Sequence, residues 1–382
     1  MNILLSYVPF QYIFLFTKAL FFLLAIKILD PVIYSNLVKS NIVVAYTSFI
    51  GFGINNSIAL FSNHKNIQNS IDLISRYIYL AGLITSMLVI YFWTKDTDIT
   101  ILTGTIYLLT NLSHNFKQRL NNFHASISFF LLSCLYISIY VFFSFELQRF
   151  VSITLFLILL ISITFLLTTT AFKKIFHTKK VLQHGFNRGM PLFLNGLFYQ
   201  GIISFDLIIV SFLFTDNFYI YAFYQNLFVA ILGATNILSE YVFIRLCKFD
   251  SLHELKHRAN RVFFVLALAR VILFFIIFFF SNIIFDNYFE EISNYKIIFF
   301  IFWFGFLGQT IGIGGGTLAN ILGKGWLYTK IILICALINL LSNCVIYFLS
   351  LDFIYYACSS LISFFCLGLM SFVIYNSEIK KL

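Results

Sequence analysis

The chain reads as an all-α polytopic membrane protein of about twelve spans. The spans divide six and six, with both termini cytoplasmic. Three observations carry this. First, 60% of the 382 residues are hydrophobic and only 10% are charged, whereas a soluble domain carries about 25% charged residues. Second, apolar runs such as Ile153–Leu167, Val262–Phe280 and Ile331–Phe348 recur along the chain, each near the roughly 20 residues that cross a hydrocarbon core as a helix. Third, the basic residues alternate from loop to loop. The even-numbered loops, the C-terminus and their flanking helix ends hold 18 Lys and Arg, against 4 on the opposite side. The positive-inside rule then places both termini in the cytoplasm. Barrel strands are excluded because the abundant Phe and Ile do not alternate with polar residues.

Turn signals and charges divide the chain into spans at 8–29, 37–61, 73–93, 98–115, 123–143, 150–171, 188–213, 217–244, 261–281, 296–322, 326–349 and 352–375. The first span is too long for a signal-peptide core and lacks a small-residue cleavage site, so no cleavable signal is expected. After the sixth span comes the longest basic break, "KKIFHTKKVLQHGFNRG". It divides the chain into an N-terminal bundle (1–171), a basic cytoplasmic linker (172–187) and a C-terminal bundle (188–382). Pro191 is expected in the first turn of the seventh span, where proline is tolerated. In the tenth span, "GQTIGIGGGTLANILGKG" (Gly308–Gly325) lacks the spacing of a phosphate loop. Its small residues fit close helix packing or a bend.

Composition excludes further classes. The formal net charge of +10 sits in inner loops facing anionic lipid and does not point to nucleic acid. The six cysteines form no CxxC pair, so neither a disulfide framework nor a zinc ribbon is signalled. No cofactor is implied. "HELKH" (His253–His257) matches the zincin pattern. The third ligand such a site needs is missing nearby, because Asp286, Glu290 and Glu291 fall across the membrane. A surface amphipathic helix is the better reading. The chain also lacks the long outer loop expected of a membrane polysaccharide polymerase or ligase.

The halves repeat weakly. "ILDPVIYSNLVKSNIVVA" (Ile28–Ala45) and "LFTDNFYIYAFYQNLFVA" (Leu213–Ala230) share a turn, a Tyr followed by a small or apolar residue, polar residues and an apolar run. Both cross the membrane in one direction, a parallel repeat. Superposing the halves brings Lys18 of the first span near Asp206 of the seventh. Intramembrane ionisable residues are functional by default. Those in the spans are Lys18, Lys27, Asp206, Glu240 and Arg270. Lys27 is near enough to Asp30 to snorkel outward, and Glu240 lies near Arg245 as a structural pair.

"FLLAIKILDPVIYSNLVKSNIVVAYTSFIGFGINNSI" (Phe22–Ile58), "GMPLFLNGLFYQGIISFDLIIVSFLFTDNFYIYAFYQNL" (Gly189–Leu227) and "LANILGKGWLYTKIILICALINLL" (Leu318–Leu341) resemble, in order and spacing, segments of Wzx-type O-antigen flippases. These belong to the multidrug/oligosaccharidyl-lipid/polysaccharide (MOP) exporter superfamily. The resemblance implies a MATE-like pair of bundles rocking about a central cavity in the bacterial inner membrane. The implied substrate is a polyprenyl-diphosphate-linked oligosaccharide. Lys18 and Arg270 are then the cations for the diphosphate, Arg270 by bidentate contact. Asn55, Asn56, Asn195 and Gln200 are amides for the glycan, and Gln225, Asn226, Gln309 and Asn320 extend the polar layer. Asp206 matches the family's Ser-x-Asp element and is the expected coupling site for H+ or Na+. Structural alternatives stand beside these: an ion pair between Lys18 and Asp206, or hydrogen bonds from Asp206 to Ser204 or a neighbouring helix. An ion-coupled multidrug exporter of the same superfamily is the alternative function.

Overall fold

The computed structural model describes residues 7–48, 65–118, 122–144, 178–246 and 252–379. All its regular structure among these residues is helical, as a bilayer demands of a chain whose backbone groups have no water to bond. The helices are α1 (Val8–Ile28), α2 (Pro31–Thr47), α3 (Lys65–Thr94), α4 (Thr97–Gln118), α5 (Asn122–Ser144), α6 (Thr178–Leu213), α7 (Phe218–Leu246), α8 (Leu252–Tyr288), α9 (Glu290–Ser293), α10 (Ile297–Ile311), α11 (Gly315–Ile321), α12 (Gly325–Phe348) and α13 (Tyr356–Ile379). Eight segments are long and apolar enough to cross a membrane, or nine if α10 and α11 form one bent span. Large apolar side chains along α8, including Phe264, Leu268, Phe275, Phe279 and Ile283, are exposed, as lipid-facing residues would be. The expected span at 150–171 and the later part of the one at 37–61 lie outside the described residues.

Several boundaries differ from the sequence reading. Helix α2 begins at Pro31 rather than at 37. Asp30 caps it by accepting a 2.7 Å hydrogen bond from the Val32 amide, and Pro31 takes the first helical position, where its missing N–H costs nothing. Lys39 lies inside α2, as it does in the expected span. Its ammonium reaches the Trp93 ring at the end of α3, 5.8 Å from the centroid. Helix α6 begins at Thr178, so the second half of the expected linker is helical. Pro191 is then interior to the helix. It stands in the first turn of the apolar segment that opens at Gly189, so hydropathy located the membrane entry and not the helix start.

The acidic residues of the turns have a structural use. Asp96 accepts from the Asp98 and Ile99 amides (2.9 and 3.1 Å) at the start of α4. Asp352 accepts from the Phe353 amide at 2.6 Å. With Asp30 they satisfy helix N-terminal donors that otherwise lack partners.

The chain forms two compact units, Met1–Phe193 and Leu194–Leu382. In the first, α1 packs along α5, and α4 packs against α2, α3 and α5. Polar ties cross these contacts: Thr103 donates to Ser40 (2.8 Å), Asn111 to Ser48 (3.2 Å) and Tyr136 to Asn41 (3.1 Å). Such bonds contribute about 0.6 to 2 kcal/mol each in membrane bundles.

In the second unit, α13 packs along α10 and α12. The approach of α10 to α13 depends on glycine. A Cβ on Gly368 would lie 1.7 Å from the Gly308 carbonyl oxygen. Beyond Gly312 the chain bends by 43° into α11, with Gly314 at φ 91°, a conformation glycine adopts without steric cost. The bend expected from the glycine run is therefore present. On the other side of α10, Trp303 stacks between Phe274 (5.6 Å) and Phe306 (4.7 Å) and donates its indole N–H to the Phe274 carbonyl at 3.1 Å.

Candidate functional site

Helix α6 presents Asn195, Tyr199, Ile202 and Asp206 at alternating steps of four and three residues. That spacing makes one stripe along a helix face. Asp206, at one end of the stripe, is fully buried. Its Oδ1 accepts from the Leu207 amide (2.8 Å) and the Gln225 side-chain amide (3.1 Å). Its Oδ2 accepts from the Tyr221 hydroxyl (2.7 Å) and is 3.0 Å from the Ser360 hydroxyl. Tyr221 and Gln225 come from α7, one turn apart, and Ser360 comes from α13. A second shell joins α12. Asn339 donates to the Ile202 carbonyl and to Ser360, both at 3.3 Å, and Asn343 donates to Asn339 at 2.9 Å. Four helices thus converge on one carboxyl group, and every group bonded to it is neutral.

Arg270 on α8 is also buried, at 5% exposure. Its guanidinium donates to the Asn236 carbonyl oxygen of α7 and sits over the Phe306 ring, 5.5 Å from the centroid. Its Nε is buried without a hydrogen-bond partner. Tyr199 stands beside Asn236 and Arg270 and accepts from Gln309 of α10. One turn along α6, Asn195 donates to Asn320 of α11 at 3.4 Å, and its own carbonyl oxygen is buried and unpaired. Among the described residues no carboxylate reaches Arg270. An uncompensated buried charge costs several kcal/mol. The site is therefore built from one cation, amides and a phenol, chemistry suited to an anion bearing hydroxyls.

An aromatic layer separates the two polar clusters. Phe228, between Gln225 and Asn236 on α7, stacks on Phe302 at 5.3 Å and meets Phe364 at 5.8 Å. Phe364 follows Ser360 by one turn and meets Tyr199 at 6.3 Å.

Lys18 belongs to the N-terminal unit. It is half-buried on α1, with its ammonium over the Tyr136 ring at 5.9 Å. Among the described residues no carboxylate pairs with it. Among the described residues, the groups bonded to Asp206 are neutral and come from its own unit. The Ser204 hydroxyl turns back to the Gln200 carbonyl at 2.7 Å. The Gln200 side-chain amide lies 3.5 Å from the Ser204 hydroxyl. Asn55, Asn56 and the side chains of Glu240 and of His253–His257 lie outside the described residues. Sequence reasoning missed Tyr199, Tyr221, Asn236, Asn343 and Ser360. Their signal was present only as polar residues at helical spacing from residues already singled out, such as Tyr221 four before Gln225.

Taken together, the apolar helices, their lipid-facing side chains and the buried polar clusters define a multi-pass helical membrane protein with interior sites. Its fold is that of the MATE transporters of the MOP superfamily. An outward-facing multidrug resistance MATE family transporter of that superfamily superposes with a TM-score of 0.69 at 13% identity, over 99% of this chain and 95% of that one. The eukaryotic MATE transporter AtDTX14 gives 0.65 at 12% identity, again over 99% and 95%. A MOP superfamily transporter from Pyrococcus furiosus, described as having a binding pocket of reverse polarity, gives 0.66 at 11% identity with the same coverage. No protein-family model matches the chain, and no curated protein matches it significantly.

Proposed function

We propose that the protein flips a polyprenyl-diphosphate-linked oligosaccharide, a repeat unit of a surface polysaccharide, from the cytoplasmic to the outer leaflet of a bacterial inner membrane. It does so by alternating access and without covalent chemistry. The observation that carries this reading is that, among the described residues, the buried cation of the C-terminal unit has no carboxylate partner. Lys18 repeats the pattern in the N-terminal unit. A diphosphate must shed water to cross hydrocarbon, and unpaired cations at depth supply what it loses. Asn195, Asn236, Gln309 and Tyr199 beside Arg270 suit glycan hydroxyls. Asn55, Asn56 and Gln200 are kept as further glycan contacts from the sequence pattern alone.

Asp206 is the coupling group for H+ or Na+. A multidrug exporter fits the fold equally, but an exporter of cationic drugs needs free carboxylates, and Asp206 is already engaged on both oxygens. The Pyrococcus furiosus relative offers a precedent for reversed pocket polarity on this fold.

The test is flipping of lipid-linked glycan in proteoliposomes by the wild type and by Arg270→Ala, Lys18→Ala and Asp206→Asn. Loss in the two cation variants supports the reading. Wild-type rates in all three, with normal expression, would overturn it.

A further inference from the structure

We propose that the end of α3 holds the headgroup of an anionic glycerophospholipid, bound by the ammonium groups of Lys39 and Lys95. The site needs only a chain seated in a bilayer and stands whether or not the protein flips glycan. Helix α3 closes on Tyr91, Phe92 and Trp93, with a cation two residues on. Amphipathic rings and long cationic side chains are the residues that settle at a membrane–water boundary.

Lys95 is the first residue after α3. Its backbone is left-handed, with φ 57°, which is uncommon for a residue that carries a Cβ. Its N–H closes the helix on the Tyr91 carbonyl at 2.8 Å. The side chain turns back along α3, and its ammonium lies 4.9 Å from the Phe92 ring centroid and 5.8 Å from that of Tyr91. Those rings are 67% and 41% exposed. Lys39 approaches from α2. It is rooted about 12 Å along that helix from Pro31, and its ammonium meets the next ring, Trp93, at 5.8 Å. Three consecutive rings thus carry two ammonium groups.

The carboxylate that follows Lys95 in the chain does not neutralise it. Asp96 Oδ1 accepts instead from the Asp98 and Ile99 amides at the start of α4. Among the described residues no carboxylate lies within ion-pair distance of Lys39 or Lys95. Lys296 of the other unit shows the opposite case, with both oxygens of Asp286 on its ammonium at 2.7 and 2.8 Å.

The same helix offers a surface for the acyl chains. Tyr77, Ile84, Leu88 and Phe92 recur at steps of seven, four and four, and all are exposed. That spacing sets them on one stripe, and from Tyr77 to Phe92 it runs about 22 Å. Cations at the head of an apolar stripe complement an anionic head on hydrocarbon tails. Two ammonium groups without a carboxylate favour a headgroup of net negative charge over a zwitterionic one, whose own ammonium they repel.

The test is native mass spectrometry of the purified full chain, titrated in detergent with phosphatidylglycerol and separately with phosphatidylcholine of the same acyl chains. Phosphatidylglycerol should be retained in preference. Lys95→Asn and Lys39→Met should each lower its retention roughly fivefold, the weight of one basic side chain at a membrane surface. The double variant should retain the two lipids alike. Lys95 is exposed and asparagine tolerates a left-handed backbone, so Lys95→Asn keeps a readout if Lys39→Met fails to fold. Lys296→Gln should change nothing, because that charge is already paired with Asp286. Equal retention of both lipids by the wild type, unchanged phosphatidylglycerol retention in Lys95→Asn, or an equal loss in Lys296→Gln would overturn the proposal. Polyprenyl diphosphate serves as a third probe. If it alone is retained through Lys39 and Lys95, the site belongs to the transported lipid and the proposal fails.

Discussion

Lys18 and Asp206, which the weak sequence repeat sets side by side, differ in kind in their surroundings. Asp206 is fully buried and bonded to four neutral groups from within its own unit. Lys18 is half-buried and meets only the face of an aromatic ring. Arg270 falls on the Lys18 side of this divide, with one amide oxygen, one ring face and an unpaired Nε. Among the described residues, the negative charge is thus met by hydrogen-bond donors and the two positive charges by no carboxylate. A group whose needs are met internally can hold or release something as small as a proton without rearranging the helices. Cations left incomplete gain most from an anion brought in from outside.

The contrast is broken most directly at Arg270. Charge-assisted hydrogen bonds are worth about 1.5 to 3 kcal/mol, so Arg270→Ala should slow flipping at low substrate concentration by roughly ten- to a hundredfold. Arg270→Lys should not restore it, because a point charge lacks the planar fork that meets two phosphate oxygens at once. Initial rates in proteoliposomes, normalised to inserted protein, decide this. Full activity in Arg270→Lys would mean that charge alone matters there.

On the other side of the contrast, Tyr221→Phe removes a donor from a buried carboxyl and leaves an acceptor unmet. The expected cost is about 1 to 3 kcal/mol of stability, read as a lower thermal unfolding midpoint in detergent. An unchanged midpoint would show that the Asp206 carboxyl does not depend on that donor.

Sequence pattern revealed the class, most of the helices and the intramembrane charges, because each is written in local composition. Run length marks a span, and a lone Asp in an apolar run marks itself. The surroundings of Asp206 were not legible, because its partners come from 15, 19 and 154 residues away. Ser360 in particular is one of several serines in an apolar stretch, and nothing local separates it from those that bond back to their own helix, as Ser359 does at 2.7 Å. The helix starts failed for a different reason. Hydropathy sees only the apolar stretch of α6 and misses its polar first turns from Thr178. The cap that opens α2 was in plain view as Asp30-Pro31, but the span was started at 37. The bend after α10 was legible because a run of glycines is both a packing and a bending signal.

Lys18 should matter less than Arg270. A cation over a ring is worth about 0.5 to 2 kcal/mol depending on desolvation, and Lys18 as a residue is only half-buried. Lys18→Met retains the apolar stem and should reduce flipping about two- to tenfold with little change in unfolding midpoint. A larger loss than in Arg270→Ala would move the main anion contact into the N-terminal unit.

The smallest expected effect separates ring from hydroxyl beneath Lys18. Tyr136 offers its face to the ammonium and donates its O–H to Asn41 at 3.1 Å. Tyr136→Phe keeps the first and removes the second, at a cost of about 0.6 kcal/mol for a typical interhelical bond. Asn41 still donates to the Leu37 carbonyl at 3.0 Å, so the loop of contacts between α1, α2 and α5 loosens without opening. Flipping should therefore stay at the wild-type rate while the unfolding midpoint falls slightly. If Tyr136→Phe instead lost as much flipping as Lys18→Met, the phenol would be acting on the anion together with the ammonium. The N-terminal site would then be a polar cluster like that of Arg270, and each half would hold a cation among polar side chains.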